Sequence, residues 1–193
     1  MVNCPRYARF LLLIVEMCLC LSVAFASPKV KWATDSFNGT KTAKISLTVF
    51  GRPGTQFVNV DLVGLAPSKR YFVRVEYTGV DWLFIPSGDT LYLKADDVLL
   101  PLSGTGSSDS RNTFDTDPYG VQKSSKPIHV REVALYEVTL DQIRKIAAAD
   151  LIQYRLVGKN QTITSGVFKN PEFKTFLEQA IPVIESDPPN SSK

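Results

Sequence analysis

Apolar and polar side chains alternate along much of the first half of the chain, and no other feature constrains the fold as strongly. The alternation runs through residues 42–50, 56–63 and 70–77. In the first of these segments, Ile45, Leu47 and Val49 fall on one face. A period of two with one apolar face is typical of strands that cover a core on one side only. Because turn-forming residues separate the segments, the pattern predicts a meander of antiparallel strands that continues through residues 80–85 and 90–95.

The second half mixes the same strand pattern with two short helical patterns. Strands are predicted at residues 128–138, 151–157 and 162–168. Thr139 and Gln142 have the spacing of a capping box at the start of the first helix. Asn170 is predicted to cap the second helix, with Pro171 in its first turn, and Pro182 to kink or end it. The fold class predicted is α+β: an antiparallel β-rich sheet or sandwich with two short helices of the C-terminal half packed on it.

The N-terminal segment is typical of an export signal. Arg6 and Arg9 precede an apolar run, and small residues lead to a predicted cleavage between Ala26 and Ser27. An uncleaved anchor is the alternative, although Glu16 interrupts the run. All three cysteines of the chain lie in this segment, so cleavage would leave a mature chain without cysteine. We therefore expect a periplasmic or extracellular protein with no membrane span after the signal is removed.

The remaining chain is long enough for a single exported domain, predicted at residues 27–185. Within it, residues 103–126 are poor in apolar side chains and rich in Gly, Ser and Asp, which predicts a long loop that is mobile or functional. Residues 186–193 are predicted to be a disordered tail.

Several chemistries are disfavoured by composition. His129 is the sole histidine and begins a strand, so a histidine-based zinc cluster is excluded and a Ser-His-Asp triad is disfavoured. No glycine-rich phosphate loop is present, and we expect no cofactor. A formal net charge of +3 is too mild to indicate nucleic-acid binding.

Two weaker kinds of site remain open. Asp109, Asp115 and Asp117 could supply oxygen ligands to calcium, with solvation and turn formation as the simpler account. A pair of carboxylates could serve a hydrolase, although no feature of the sequence selects a pair.

Aromatic and cationic side chains on neighbouring predicted strands form the candidate binding site. Its members are Tyr71, Arg74, Tyr77, Trp82 and Tyr92. Such rings, with Phe84 among them, could bind sugars or peptides, but more often they fill a core. The strand arginines could together bind an anion, whereas pairing with glutamates across strands is the simpler account. The arginines are Arg70, Arg74, Arg131 and Arg155, and the glutamates are Glu76, Glu132 and Glu137.

These observations together predict an exported, non-enzymatic domain that binds a ligand or takes part in an envelope assembly, with a protein or cell-envelope component as partner. The alternative is a hydrolase of envelope or external polymers that uses acidic residues. Edge strands and the long loop are the predicted contact surfaces. Asn38, Asn160 and Asn190 lie in glycosylation sequons, which matter only in a eukaryotic secretory pathway.

Overall fold

The computed structural model describes residues 28–53, 55–113 and 129–187, and within these it describes no side chain of residues 108–113 or of His129. The described chain forms one curled, antiparallel, nine-stranded sheet with helices packed against it, which confirms the α+β prediction. The strands are β1 Lys31–Thr34, β2 Lys41–Arg52, β3 Gln56–Ala66, β4 Arg70–Gly79, β5 Gly88–Ala95, β6 Val98–Thr113, β7 His129–Val138, β8 Leu151–Val157 and β9 Thr162–Lys169. The helices are α1 Leu140–Ala148, α2 Pro171–Gln179 and α3 Ile181–Ser186.

The strand order is β1-β2-β3-β4-β7-β6-β5-β8-β9, so the predicted meander ends after β4. β4 pairs with β7, and β5 pairs with β6 and β8. The predicted strand at residues 80–85 is wrong. These residues form an irregular connection from β4 to β5, and β7 and β6 lie between those two strands in the sheet. The alternation in β4 is confirmed, since Tyr71 and Tyr77 at its ends are both buried.

A bulge in β2 changes which side chains face the core. The pairing of β2 with β3 shifts between Ser46 and Thr48, so Leu47 is the extra residue. Ile45 before the bulge is buried, but beyond it Phe50 is buried and Val49 is exposed. The prediction that Ile45, Leu47 and Val49 share the core face is therefore wrong, because one added residue reverses the facing of all residues after it.

Strand β6 occupies the first part of the predicted loop, and the rest of that loop, residues 114–126, lies outside the described residues. Residues 103–113 pair with β5 or β7 rather than forming a loop. The polar composition misleads because main-chain hydrogen bonds to β5 and β7 hold this strand, and residues of any type can form them. At Gly104 a Cβ atom would lie 2.7 Å from the ring of Tyr136, so a glycine is needed where β6 crosses that ring.

The helices begin and end largely as predicted, with one exception. Thr139 and Gln142 form both hydrogen bonds of the capping box. α2 ends before Ala180, and α3 begins with Pro182 in its first turn. Asn170, however, caps nothing: its buried Nδ2 donates a 2.6 Å hydrogen bond to the carbonyl of Ile146 and so joins the start of α2 to the end of α1.

The core lies inside the curl of the sheet. The rings of Phe50 on β2 and Tyr154 on β8 stack at 6.1 Å between centroids, and β9 passes close to β2. Phe173 and Phe176 of α2 are fully buried against this core. Among the described residues, no helix combines the length and apolarity needed to cross a lipid bilayer.

Candidate functional site: a pinned aromatic segment

The irregular segment of residues 80–87 contacts a buried carboxylate from another strand and presents two stacked aromatic rings of its own. We call residues 81–86 the pinned segment. It lies between β4 and β5, beside the turn that joins β8 to β9. A segment without strand partners has to satisfy its backbone polar groups in another way.

Glu132 satisfies three of these groups at once. Its carboxylate, fully buried on the core face of β7, accepts hydrogen bonds from the backbone N–H groups of Leu83, Phe84 and Ile85. The donor–acceptor distances are 2.6, 2.9 and 3.0 Å. Hydrogen bonds to an ionised group are short and strong, and a buried carboxylate needs several of them. The prediction that Glu132 pairs with an arginine is wrong, because it faces the core rather than the outer face.

The carbonyl groups of the pinned segment are held by the surrounding elements. Tyr77 Oη donates to the carbonyl of Asp81 at 2.8 Å. Asn160 Nδ2 donates to the carbonyl of Trp82 at 2.9 Å, and Lys159 N donates to that of Phe84 at 3.2 Å. Ser107 N, on β6, donates to the carbonyl of Ile85 at 2.9 Å. The backbone of the segment is therefore fixed by β4, β6 and the β8–β9 turn, together with Glu132 on β7.

The segment presents Trp82 and Phe84 outward. Their rings stack with centroids 5.8 Å apart and planes inclined by 24°. Trp82 also packs on the core, whereas Phe84 is 46% exposed. Phe84 has φ 51°, in the left-handed region that a bulky residue rarely adopts. Strain of this kind persists only where the surroundings over-determine the backbone, and it concentrates at functional sites.

The other predicted binding residues lie elsewhere. Tyr71 and Tyr77 are buried, and Tyr71 Oη donates a 2.5 Å hydrogen bond to Glu185 on α3. Arg74 lies on the outer face of β4. Tyr92, on β5, lies beneath the guanidinium of Arg155, which is 4.6 Å from the ring centroid. Of the five predicted residues, Trp82 alone belongs to the pinned segment.

The outer face of β2, β3, β4 and β7 carries a continuous ion-pair network. Asp61, nearly buried, binds Lys44 at 2.8 Å and Arg74 at 3.1 Å. Glu76 binds Arg74 and, through both carboxylate oxygens, Arg131 at 2.8 and 2.9 Å. Hydrogen bonding from Arg131, with Arg74 in support, lowers the pKa of Glu76 to about 2. Pairing with a glutamate across strands is thus confirmed for Arg131, whereas the cross-strand partner of Arg74 is Asp61 and Glu76 lies on its own strand.

Arg70 and Arg155 complete the set of predicted arginines. Arg70 forms a two-pronged ion pair with Glu137, with N–O distances of 2.9 and 3.0 Å. That pair lowers the pKa of Glu137, chiefly through the hydrogen bond itself. Arg155 instead stacks on Tyr92. The four arginines therefore do not converge on one anion.

The calcium prediction falls largely outside the described residues. Asp115 and Asp117 lie there, as do Ala26, Ser27, the three cysteines and the sequon at Asn190. Asp109 is on β6, with its backbone paired to Val133. Within residues 28–53, 55–113 and 129–187, no cluster of three metal-ligating side chains is found. Among the carboxylates, burial raises the pKa of Glu172 on α2.

Neither the family models, the curated proteins nor the solved structures include a match to this chain. Function has to be argued from the geometry.

Glu132 is the residue that sequence reasoning misplaced, and one signal was available. Along residues 128–138, Glu132 occupies the same alternation as Val130, Ala134 and Tyr136, which is the apolar face of the strand. An acidic residue in register with a buried face indicates a buried carboxylate that needs donors. The sequence does not show that residues 83–85 supply those donors.

Proposed function

We propose that this protein is an exported, non-catalytic domain that binds a protein or cell-envelope partner through Trp82 and Phe84. The observation that carries the proposal is the combination in one short segment of a backbone fixed by a buried carboxylate and two rings directed outward. Large aromatic side chains give much contact area for little lost side-chain freedom, and they dominate many binding surfaces.

Rigidity is the reason that the pinned segment suits binding. A flexible loop loses conformational entropy when a partner orders it, which weakens the complex. Here the backbone bonds to Glu132, Asn160 and Ser107 are made before any partner arrives. Export is supported by the predicted signal at residues 1–26, and it would place the rings where envelope components or external molecules can reach them.

Site-specific photo-cross-linking in the producing cells tests this proposal. A photoreactive phenylalanine analogue replaces Phe84, and in a matched control it replaces Val183, which is 43% exposed on α3. We expect a reproducible adduct from position 84 that the control does not give and that Trp82→Ala removes. The same adducts from both positions, or none from position 84, would contradict the proposal.

Fluorescence gives an independent measurement with purified protein. The chain has two tryptophans, so Trp32→Phe leaves Trp82 as the sole tryptophan reporter. The partner identified by cross-linking should shield Trp82 from acrylamide quenching in this variant.

An activity assay tests the non-catalytic part of the proposal. Turnover of an envelope polymer that Glu172→Gln abolishes would contradict it.

A further inference from the structure

A second surface, independent of the pinned segment, lies on the outer face of β5, β6, β8 and β9. It consists of two adjoining depressions that share Lys94 and Gln153. The first, of about 230 Å³, is lined by Tyr92, Lys94, Leu99 and Arg155 among others. The second, of about 370 Å³, is lined by Leu151 and Val167 among others. We call the two together the β8 groove.

Charge separates this groove from the opposite half of the sheet. On the outer face of β2, β3, β4 and β7, Lys44, Arg74 and Arg131 are all paired with carboxylates. In the groove, neither Lys94 nor Arg155 has a carboxylate oxygen within 4.0 Å among the described residues. Counting only the residues that the structure describes, the smaller depression thus has two cations without a carboxylate partner and no acidic residue in its lining.

The guanidinium of Arg155 is held in place by its neighbour. Arg155 and Tyr92 are direct cross-strand partners, and the guanidinium carbon lies 4.6 Å from the ring centroid. Stacking on a ring orients a guanidinium while leaving its edge free to bind a carboxylate with two hydrogen bonds. Lys94 is two residues after Tyr92 on β5, so it lies on the same face of the sheet, opposite Gln153.

The larger depression is apolar on the side towards β9. Val167 is 59% exposed and Leu151 is 45% exposed, although both side chains are aliphatic. Asp96 and Asp97 border this depression, but the Asp96 carboxylate accepts hydrogen bonds from the backbone N–H groups of Asp150 and Leu151. The groove therefore runs from a basic end at Arg155 to an apolar end at Leu151.

We propose that the β8 groove binds an acidic, extended polypeptide segment of a partner protein, with a carboxylate at Lys94 and Arg155 and an apolar side chain between Leu151 and Val167. Charge complementarity selects the acidic group. Lys94 and Val167 both pair with Gln153, so the carboxylate site lies between the levels of Arg155 and Gln153, and the apolar site lies between the levels of Gln153 and Leu151. The two sites are therefore one two-residue step apart, about 7 Å, which is the distance between side chains that point the same way in an extended chain. An acidic residue followed two positions later by an apolar one is the expected motif.

Other anionic ligands fit the groove less well. A bilayer surface is flat, whereas the cations here line a depression. A polysaccharide prefers aromatic rings to stack on, whereas the apolar end of the groove is formed by Leu151 and Val167. The polypeptide is therefore the occupant that uses both ends.

Fluorescence anisotropy with defined peptides tests the proposal. The probe is a fluorescein-labelled nine-residue peptide, about 30 Å long when extended, that alternates serine with glutamate and leucine in turn. The comparison probe has glutamine in place of glutamate. Loss of one charge-assisted contact typically weakens binding about tenfold to hundredfold. We expect the unaltered protein to bind the glutamate probe more tightly than the glutamine probe by that factor. Lys94→Gln/Arg155→Gln should weaken binding of the glutamate probe by a similar factor.

Matched variants distinguish the groove from general attraction to a positive protein. Lys31→Gln/Lys174→Gln removes the same charge from β1 and α2 and should leave the affinity unchanged. A third probe has serine in place of leucine. Leu151→Ser should abolish the preference for the leucine probe over this serine probe while preserving the preference for glutamate over glutamine. Circular dichroism and the urea midpoint of each variant establish that it is folded.

Three results would overturn the inference. They are equal binding of the glutamate and glutamine probes, equal weakening by the groove and control variants, and no detectable binding of the glutamate probe. Binding to phosphatidylglycerol vesicles that Lys94→Gln/Arg155→Gln abolishes, without binding of the peptide, would assign the groove to a lipid surface instead. Each of these outcomes leaves the proposal for Trp82 and Phe84 unaffected, because that pair lies outside the β8 groove.

Discussion

The backbone N–H of Leu83 donates a 2.6 Å hydrogen bond to Oε1 of Glu132, which lies 49 residues further along the chain and is fully buried. This bond joins an irregular segment to the central strand β7. Phe84 and Ile85 donate to the same carboxylate, so one side chain replaces the strand partner that the segment lacks.

Glu132→Gln should lower the free energy of unfolding by about 2–3 kcal/mol. Glutamine offers a single uncharged acceptor to three donors, and its amide group would face an N–H. Urea unfolding measures the change. Glu137→Gln is the matched control, because Glu137 lies on the same strand but half-exposed on the outer face. Equal losses in the two variants would contradict the pinning role of Glu132.

Asn170→Asp distinguishes a helix cap from a bridge between helices. Aspartate is as good a cap as asparagine, so a capping role predicts almost no loss of stability. In the structure Asn170 donates to the carbonyl of Ile146, and a carboxylate there would face that oxygen. We therefore expect a loss of about 2–4 kcal/mol, measured by thermal or urea unfolding. An unchanged midpoint would favour the capping role.

Gly64→Ala should destabilise the contact between the sheet and the last helices. A Cβ at Gly64 would lie 2.5 Å from Cδ1 of Ile184 and 3.0 Å from the ring of Phe176, so the Ile184 side chain or the helices α2 and α3 have to shift. Overpacking of this kind typically costs about 1–3 kcal/mol. At Gly166 the nearest atom is 3.9 Å away, so Gly166→Ala should have a much smaller effect on the urea midpoint. Similar midpoints for the two variants would contradict the packing described.

The ion pair of Glu76 predicts a dependence of stability on pH. Because Arg131 and Arg74 lower its folded pKa from 4.5 to about 2, the ionised form stabilises the fold above about pH 4.5. That contribution is lost as the pH falls from about 4.5 towards 2. The unaltered protein should therefore be more stable than Glu76→Gln at pH 6, with the difference disappearing towards pH 2, as measured by urea unfolding across this range.

A double-mutant comparison checks the cause of that dependence. In an Arg131→Gln background, Glu76→Gln should produce a smaller change in stability and a weaker dependence on pH, because Arg131 supplies the largest part of the shift. An unchanged dependence would contradict the assignment to Arg131.

Local patterns predicted the elements of this fold well wherever a few adjacent residues decide the outcome. Thr139 and Gln142 satisfy each other within one turn, so the capping box is recognisable from their spacing. The alternation in β4 survives intact, since Tyr71 and Tyr77 are buried as a period of two requires. The alternation in β2 correctly predicted a strand. It did not predict the bulge at Leu47, because the bulge arises in the pairing with β3.

The candidate site was predicted only in part. Trp82 was predicted as an aromatic on a strand, which is wrong for the strand, and Tyr71 and Tyr77, predicted in the same way, lie in the core. An aromatic side chain packs a core or presents a binding surface according to which face of its element is covered. That depends on contacts between distant segments. For Phe84, the deciding contact is with Glu132.

The sequence by itself determined that residues 42–50, 56–63 and 70–77 lie in strands, that Thr139 begins a helix and that Pro182 interrupts another. These outcomes depend on side-chain period, capping and a missing N–H, which act over a few residues. The tertiary structure alone decided that β7 inserts beside β4, that Glu132 holds residues 83–85 and that Lys94 and Arg155 face a depression whose described lining residues include no carboxylate. The physical reason is that strand order and the partners of buried polar groups arise from contacts between residues far apart in the chain, which no local period records.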